Sequence, residues 1–183
     1  MIIEEGKYYH LYNRSNNNEI VFKEEENYDY FLKKYYLYCA HYFETISYCL
    51  MPTHFHSLVH SKSDDAPNIR KSIALLLSGY TKAINKRFHR HGSLFQPRTK
   101  AKEITDNAYV MTIISYIHQN PLRAKLVNHL EDWQHSNFRS LIQMRRKEWA
   151  AQDNIFSSLF DSAEDFKKFS EEMIECVRKE FWI

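Results

Sequence analysis

The hydrophobic pattern of this chain switches repeatedly between a period of two and a period near 3.6, and each switch marks an element. Residues 7–14, 43–51, 54–61 and 98–104 read as strands, and residues 24–41, 68–90 and 106–120 as helices. The second helix shows its apolar stripe in Ile69, Ile73, Leu76, Leu77, Tyr80, Ile84 and Phe88. In the third, Val110, Ile113, Ile114 and Ile117 recur at helical spacing, with Thr105 or Asp106 as N-cap. Pro121 disfavours helix at Asn120 before it, so this helix is expected to end near there. The order β-α-β-β-α-β predicts an α+β, ferredoxin-like architecture, an antiparallel sheet with helices on one face.

Beyond residue 143 the pattern changes. Arg145, Arg146 and Lys147 precede Trp149, and Phe166, Phe169, Met173 and Val177 fall at helical intervals. Residues 1–143 therefore read as one domain and 144–183 as a helical C-terminal extension. That extension could pack on the domain, contact the domain's own binding partner or pair two protomers, and the sequence does not choose among them.

Candidate chemistry sits on two of these elements. In SYCLMPTHFHSLVH, His54 and His56 are one residue apart on a strand, so they share one face. Two imidazoles presented side by side are spaced to grip one metal ion or one phosphate, although the pair alone does not define a site. About sixty residues downstream, Tyr116 and Asn120 are four apart on the third helix, which stacks a phenol and an amide beside the apolar stripe rather than within it. Most of the thirteen tyrosines are simpler to explain as packing residues, and Asn ahead of Pro is ordinary helix-end chemistry, so neither residue is diagnostic by itself. His41, His60, His89, His91, His129 and His135 read as solvated or structural. His118 faces elsewhere on the helix from Tyr116 and takes no role in the chemistry.

Composition narrows the classes. A chain of 183 residues can build one domain with a proper core plus an extension. No Gly-rich phosphate loop occurs among three glycines, and Cys39, Cys49 and Cys176 are odd in number without CxxC spacing, so neither a disulfide framework nor a cysteine zinc site is indicated. No apolar run approaches the ~20 residues of a membrane helix, and MIIEEGKYYH is not a signal peptide, so a cytoplasmic protein with reduced cysteines is expected. The net charge of +2 does not argue for nucleic acid, but its distribution does. Arg98, Lys100 and Lys102 alternate along a predicted strand, and Lys82, Lys86, Arg87, His89, Arg90 and His91 crowd a helix end. With Arg70, Lys71, Arg123 and Lys125 these could line a groove following a phosphate backbone, with nearby Tyr or Phe stacking unpaired bases.

Several motifs in order resemble one family. The strand MPTHFHSLVH, the helix end SYIHQNP followed by LRA, and YYHLYNRSNNN near the start look like the single-tyrosine HUH transposases of the insertion-sequence-200-like group, above all the REP-associated tyrosine transposases of bacteria. HGSLFQPRTKAKEI and DWQHSNFRS are similar to later segments of that family, so the resemblance spans residues 7–143. It implies that His54, His56 and Asn120 hold a divalent cation and that Tyr116 attacks DNA. Gln119 is the competing third ligand, since relatives can use Gln. At ~100° per residue, however, the four-residue neighbour Asn120 lies nearer the face of Tyr116. Thr53 stands where the family often has Asn, a position that is not a ligand.

The activity implied is a single-stranded DNA endonuclease and strand transferase acting through a 5′-phosphotyrosine intermediate on hairpin-bearing DNA. Imidazoles alone would favour zinc or another borderline-soft ion, whereas the resemblance favours Mg2+ or Mn2+. Single-stranded or hairpin DNA is the expected partner. Relatives of both monomeric and homodimeric kinds exist, so oligomeric state and a cis or trans site stay open. Two other classes compete: an inactive or domesticated single-stranded nucleic-acid-binding module, and a hydrolase that activates water at the histidines without Tyr116.

Overall fold

A computed structural model describes residues 2–144 and 155–172. Strands β1 (Tyr8–Arg14), β2 (Phe43–Met51), β3 (His54–Ser61) and β4 (Lys100–Ile104) form one sheet in the order β2-β3-β1-β4. Every neighbouring pair is antiparallel. Helices α1 (Glu25–Cys39) and α2 (Ala66–Arg87) complete the β-α-β-β-α-β repeat, and α3 (Asn107–Arg123) follows β4. Among the described residues three short α-helices come after it: α4 (Phe138–Ile142), α5 (Ile155–Leu159) and α6 (Ala163–Glu171). The ferredoxin-like arrangement read from the sequence is therefore the observed one.

The central strands β1 and β3 are buried on both faces, and strand alternation decides which residue goes where. Tyr9 and Leu11 of β1 and Phe55 and Val59 of β3 point to α1 and α2, joining Phe31, Tyr35, Ile69, Ile73, Leu76, Tyr80 and Ile84 in one core. Both repeat helices lie on this face, as expected. Leu58, Ile104, Ile46 and Met51 point to the opposite face, where Val110, Ile113, Ile114 and Ile117 of α3 cover them in a second core. Asp65 caps α2 by accepting from Asn68 N at 3.2 Å, and Asp106, rather than Thr105, caps α3 by accepting from Ala108 N at 2.9 Å.

The C-terminal extension belongs to this second core. Phe166 of α6 is fully buried, with its ring 5.6 Å from Phe138, 5.4 Å from Phe156 and 5.2 Å from Phe160. Of the positions predicted for the C-terminal helix, Phe166 and Phe169 fall on α6, whereas Met173 and Val177, like Arg145–Lys147 and Trp149, lie outside the described residues.

Residues before α4 also close the free edge of β2. Leu50 N donates to His135 O at 2.9 Å, and Asn137 donates through Nδ2 to Ile46 O at 2.9 Å while its Oδ1 accepts from Tyr48 N at 2.9 Å. His118 Nε2 lies 2.9 Å from the same Oδ1, and because an amide oxygen can only accept, this nitrogen carries the proton. His118 is thus a structural residue on the far side of α3 from Tyr116.

Because Phe166 joins α6 to α3 and α4, Phe166→Ala should destabilise the whole chain by about 3–5 kcal/mol in urea unfolding, in a single transition. A separate early transition confined to the extension would contradict this packing.

Candidate active site

The histidine strand is positioned by a tight turn. β2 and β3 are joined by Pro52–Thr53, whose carbonyls accept from Val21 N at 2.7 Å and Ser15 N at 2.8 Å. His54 and His56 therefore leave the turn on the α3 face, with ring centres 5.0 Å apart and planes at 85°. Thr53 Oγ1 meets His54 Nδ1 at 3.0 Å, so the residue that replaces the family's Asn orients the first histidine. His56 is fully buried, its Nδ1 is 2.9 Å from His10 Nε2, and its Nε2 has no hydrogen-bond partner among the described residues.

Helix α3 lays the phenol against these imidazoles. The Tyr116 ring centre is 5.7 Å from His56 and 6.4 Å from His10, edge-on to both. At 8 % exposure Tyr116 is deeper than a position beside the stripe implies, because the two imidazoles take the place of solvent at its ring. The Arg123 guanidinium lies 5.9 Å from the ring centre on the outer side.

Asn120 sits one turn beyond Tyr116, and its amide explains a departure from expectation. The helix does not end near Asn120 but runs through Pro121 to Arg123. A proline at 121 removes the N–H that would reach Ile117 O. Asn120 Nδ2 supplies a substitute, donating to Ile117 O at 3.3 Å and to Tyr116 O at 2.8 Å. With its NH2 committed to backbone, Asn120 keeps its carbonyl oxygen as the atom available to a ligand. Gln119 points elsewhere. It is buried, donates to Ser170 O at 2.8 Å and Glu172 O at 2.7 Å, and accepts from Arg123 Nη2 at 3.0 Å. It thus ties α3 to the end of α6.

The electrostatics follow from burial. Desolvation holds His10 down to about 3, His54 down to about 4 with a further push from Arg14, and His56 well below the usual imidazole range. All three are neutral near pH 7, the form in which an imidazole ligates metal. The Tyr116 phenol is raised above its ordinary value by burial, with Arg123 acting in the opposite direction. Among the described residues no three His, Cys, Asp or Glu side chains form a metal cluster, so a cation here would depend on two imidazoles and the Asn120 oxygen. That donor set fits one. A buried imidazole nitrogen lacking a partner, a second neutral imidazole beside it and an amide oxygen with its NH2 otherwise engaged are all suited to a divalent ion.

The basic residues divide. In register, Lys100 faces Tyr12, which faces His56, and Lys102 faces His10, so both lysines share the site's side of the sheet. Arg123 adjoins the nucleophile candidate. Arg98 lies ahead of β4, not on it, and with Arg70 and Thr99 lines a groove of about 510 Å³ against α2. Lys82 and Lys86 are exposed at the far end of α2, where Arg87 is engaged with Glu24 at 2.6 Å through Nε. Two residues escaped sequence reasoning. His10 and Arg14 alternate with Tyr12 in YYHLYNR, and that alternation was the available signal, but only the pairing of β1 with β3 brings them to the histidines.

This geometry can be set beside known proteins. The family model described as "Transposase IS200 like" matches residues 5–120, more than half of the chain and every residue discussed above as far as Asn120. The chain belongs to the IS200-like transposase family. A Haemophilus influenzae protein carrying the name REP-associated tyrosine transposase is 29% identical to this chain over 110 residues, which are 55% of this chain and 62% of that protein. The chain thus spans less than two thirds of that relative. A solved structure of a REP-associated tyrosine transposase bound to a REP hairpin superposes with a TM-score of 0.59 at 19% identity, over 83% of this chain and 89% of that one. The likeness shows a shared fold for this IS200-like member. No helix of the described residues is long and apolar enough to cross a membrane.

The buried histidines make stability pH-dependent. His10, His54, His56 and His118 all have folded values below the ~6.5 of the unfolded chain, so their contribution is fully present above that pH and is lost as pH falls toward their folded values, about 3 for His10, about 4 for His54 and His118 and well below the usual range for His56. The unfolding free energy from urea titration should fall between pH 7.5 and pH 5 by about 2 kcal/mol for each histidine that stays neutral, and the urea midpoint with it. A midpoint unchanged over that interval would show that these imidazoles are hydrated in the folded state.

Proposed function

We propose that this protein is a DNA-cleaving and DNA-joining transposase that uses Tyr116 as nucleophile, with single-stranded or hairpin DNA as substrate. The observation that carries this reading is the Tyr116 ring 5.7 Å from His56, with Asn120 one helical turn away on a rigid, buried helix. A plain nucleic-acid-binding module has no use for a phenol set against two neutral imidazoles. The relative whose structure contains a REP hairpin supports hairpin DNA as the substrate class.

In this reading His54, His56 and Asn120 hold Mg2+ or Mn2+. When bound, the ion supplies positive charge for the non-bridging oxygens of the scissile phosphate. The remaining steps belong to the chain. The Tyr116 oxygen attacks phosphorus, the phenol proton departs, and the bond to the 3′ oxygen of the preceding nucleotide breaks. The products are a 5′-phosphotyrosine and a free 3′-hydroxyl, so the energy of the broken diester is conserved and an incoming 3′-hydroxyl can reverse the step. Arg123, beside the ring, favours the phenolate that develops during attack. Lys100 and Lys102 neutralise backbone phosphates along the sheet edge leading to the site.

Incubation with labelled single-stranded hairpin DNA and Mg2+ or Mn2+ should give an adduct that survives denaturation, and Tyr116→Phe should abolish it while leaving DNA binding within about twofold. Nicking that persists in Tyr116→Phe would instead indicate a hydrolase that uses water. The double substitution Lys100→Ala, Lys102→Ala should reduce the slope of log Kd against log salt for single-stranded DNA by about 1.4, the contribution of two phosphate contacts. An unchanged slope would remove both lysines from the DNA path.

A further inference from the structure

The His10–His56 contact joins two buried imidazoles and therefore contains one proton with two places to sit. His10 Nε2 and His56 Nδ1 are 2.9 Å apart, the rings are nearly parallel at 11°, and neither residue has measurable exposure. A hydrogen bond between these two nitrogens has one donor and one acceptor, and a neutral imidazole carries a single N–H, so the tautomers of the two rings are coupled through this contact. If His10 donates, His56 accepts at Nδ1 and must carry its own proton on Nε2, which then has no lone pair in the ring plane for a cation. If His56 donates, its Nε2 is a bare lone pair. That nitrogen is buried without a hydrogen-bond partner among the described residues, on the side of the ring away from His10.

We infer that His10 is the positioning residue of the metal centre, accepting the proton of His56 Nδ1–H and so fixing the tautomer in which His56 Nε2 can bind a divalent cation. This rests on the metal-site reading above and extends it to a residue of another strand. His10 is not itself a ligand, because its Nε2 is already directed at His56 and a cation on His56 Nε2 lies across the imidazole from it. Placement on β1 gives the contact its rigidity: His10 pairs with Leu58 and Tyr12 pairs with His56 in the same antiparallel register, so the two imidazoles are diagonal neighbours on one sheet face. Metal-bound histidines commonly have such a partner on the second ring nitrogen, where its removal lowers affinity by about 10–100-fold. In this chain the partner is another imidazole, which can either accept or donate and so must be oriented itself.

Two measurements test the inference. Long-range 1H–15N correlation spectra of the histidine-labelled wild type without metal at pH 7 should place the His56 proton on Nδ1, with Nε2 showing the shift of an unprotonated ring nitrogen. A proton on Nε2 overturns the inference, and this readout needs no variant to fold. Mn2+ titration should then show His10→Leu binding about 10–100-fold more weakly than wild type, and His10→Gln, whose carbonyl can accept from Nδ1–H, within about threefold. Equal Mn2+ affinity of His10→Leu and wild type overturns the role of His10 alone. If wild type binds Mn2+ no better than the His54→Ala, His56→Ala double variant, the metal site itself fails and the inference fails with it.

Discussion

The structure depends on two central strands, β1 and β3, that are dry on both sides. Such a strand has no solvent face on which to discard a polar side chain, so the alternation along β1 and β3 sorts residues between two interiors of different character. The interior under α1 and α2 is filled by hydrocarbon and aromatic rings. The one under α3 holds His10 and His56 as well, each at 0 % exposure. Burying imidazoles costs free energy unless they are hydrogen-bonded, and the pair offsets part of that cost by bonding to each other. The same burial makes them neutral, which suits ligation better than a hydrated pair would.

Much of this was legible in the sequence because it rests on local periodicity. The strands and the stripes of α2 and α3 follow from residue spacing, and the shared face of His54 and His56 from a strand's period of two. What escaped was decided by docking or by side-chain substitution. No spacing rule could put α3 on the face opposite α1 and α2, and without that placement the depth of Tyr116 is invisible, just as the partnership of His10 with His56 is invisible without the pairing of β1 with β3. The helix end at Pro121 was misread for a specific reason: proline removes one donor, but Asn120 restores it from its side chain, and a rule about proline alone does not contain that repair. Arg87 reads as a free cation in a basic run, yet Glu24, 63 positions earlier, engages it across the α1–α2 layer.

The extension past residue 143 is joined to the site by more than packing. Gln119 donates to the carbonyls that end α6 and accepts from Arg123, while Arg123 lies over the Tyr116 ring. The side chain that the sequence offered as a rival metal ligand is instead the fastening between the last described helix and the environment of the phenol. A short polar contact of this kind is sensitive to the identity of one residue, since a Gln can donate and accept at once and neither Glu nor Leu can do both.

The two-residue turn between β2 and β3 has a consequence for how this chain can change over evolution. Its carbonyls are pinned from outside by Ser15 N and Val21 N, and His54 begins the strand immediately after it. A one-residue slip of β3 against β1 and β2 would turn every side chain of β3 to the other interior, carrying both imidazoles among Phe31 and Tyr80 and bringing Phe55 to face α3. The pinned turn therefore acts as a register lock: side chains around it can change, but a length change at residues 52–53 is compatible with the site only where the loop absorbs it and β3 keeps its imidazoles facing the phenol.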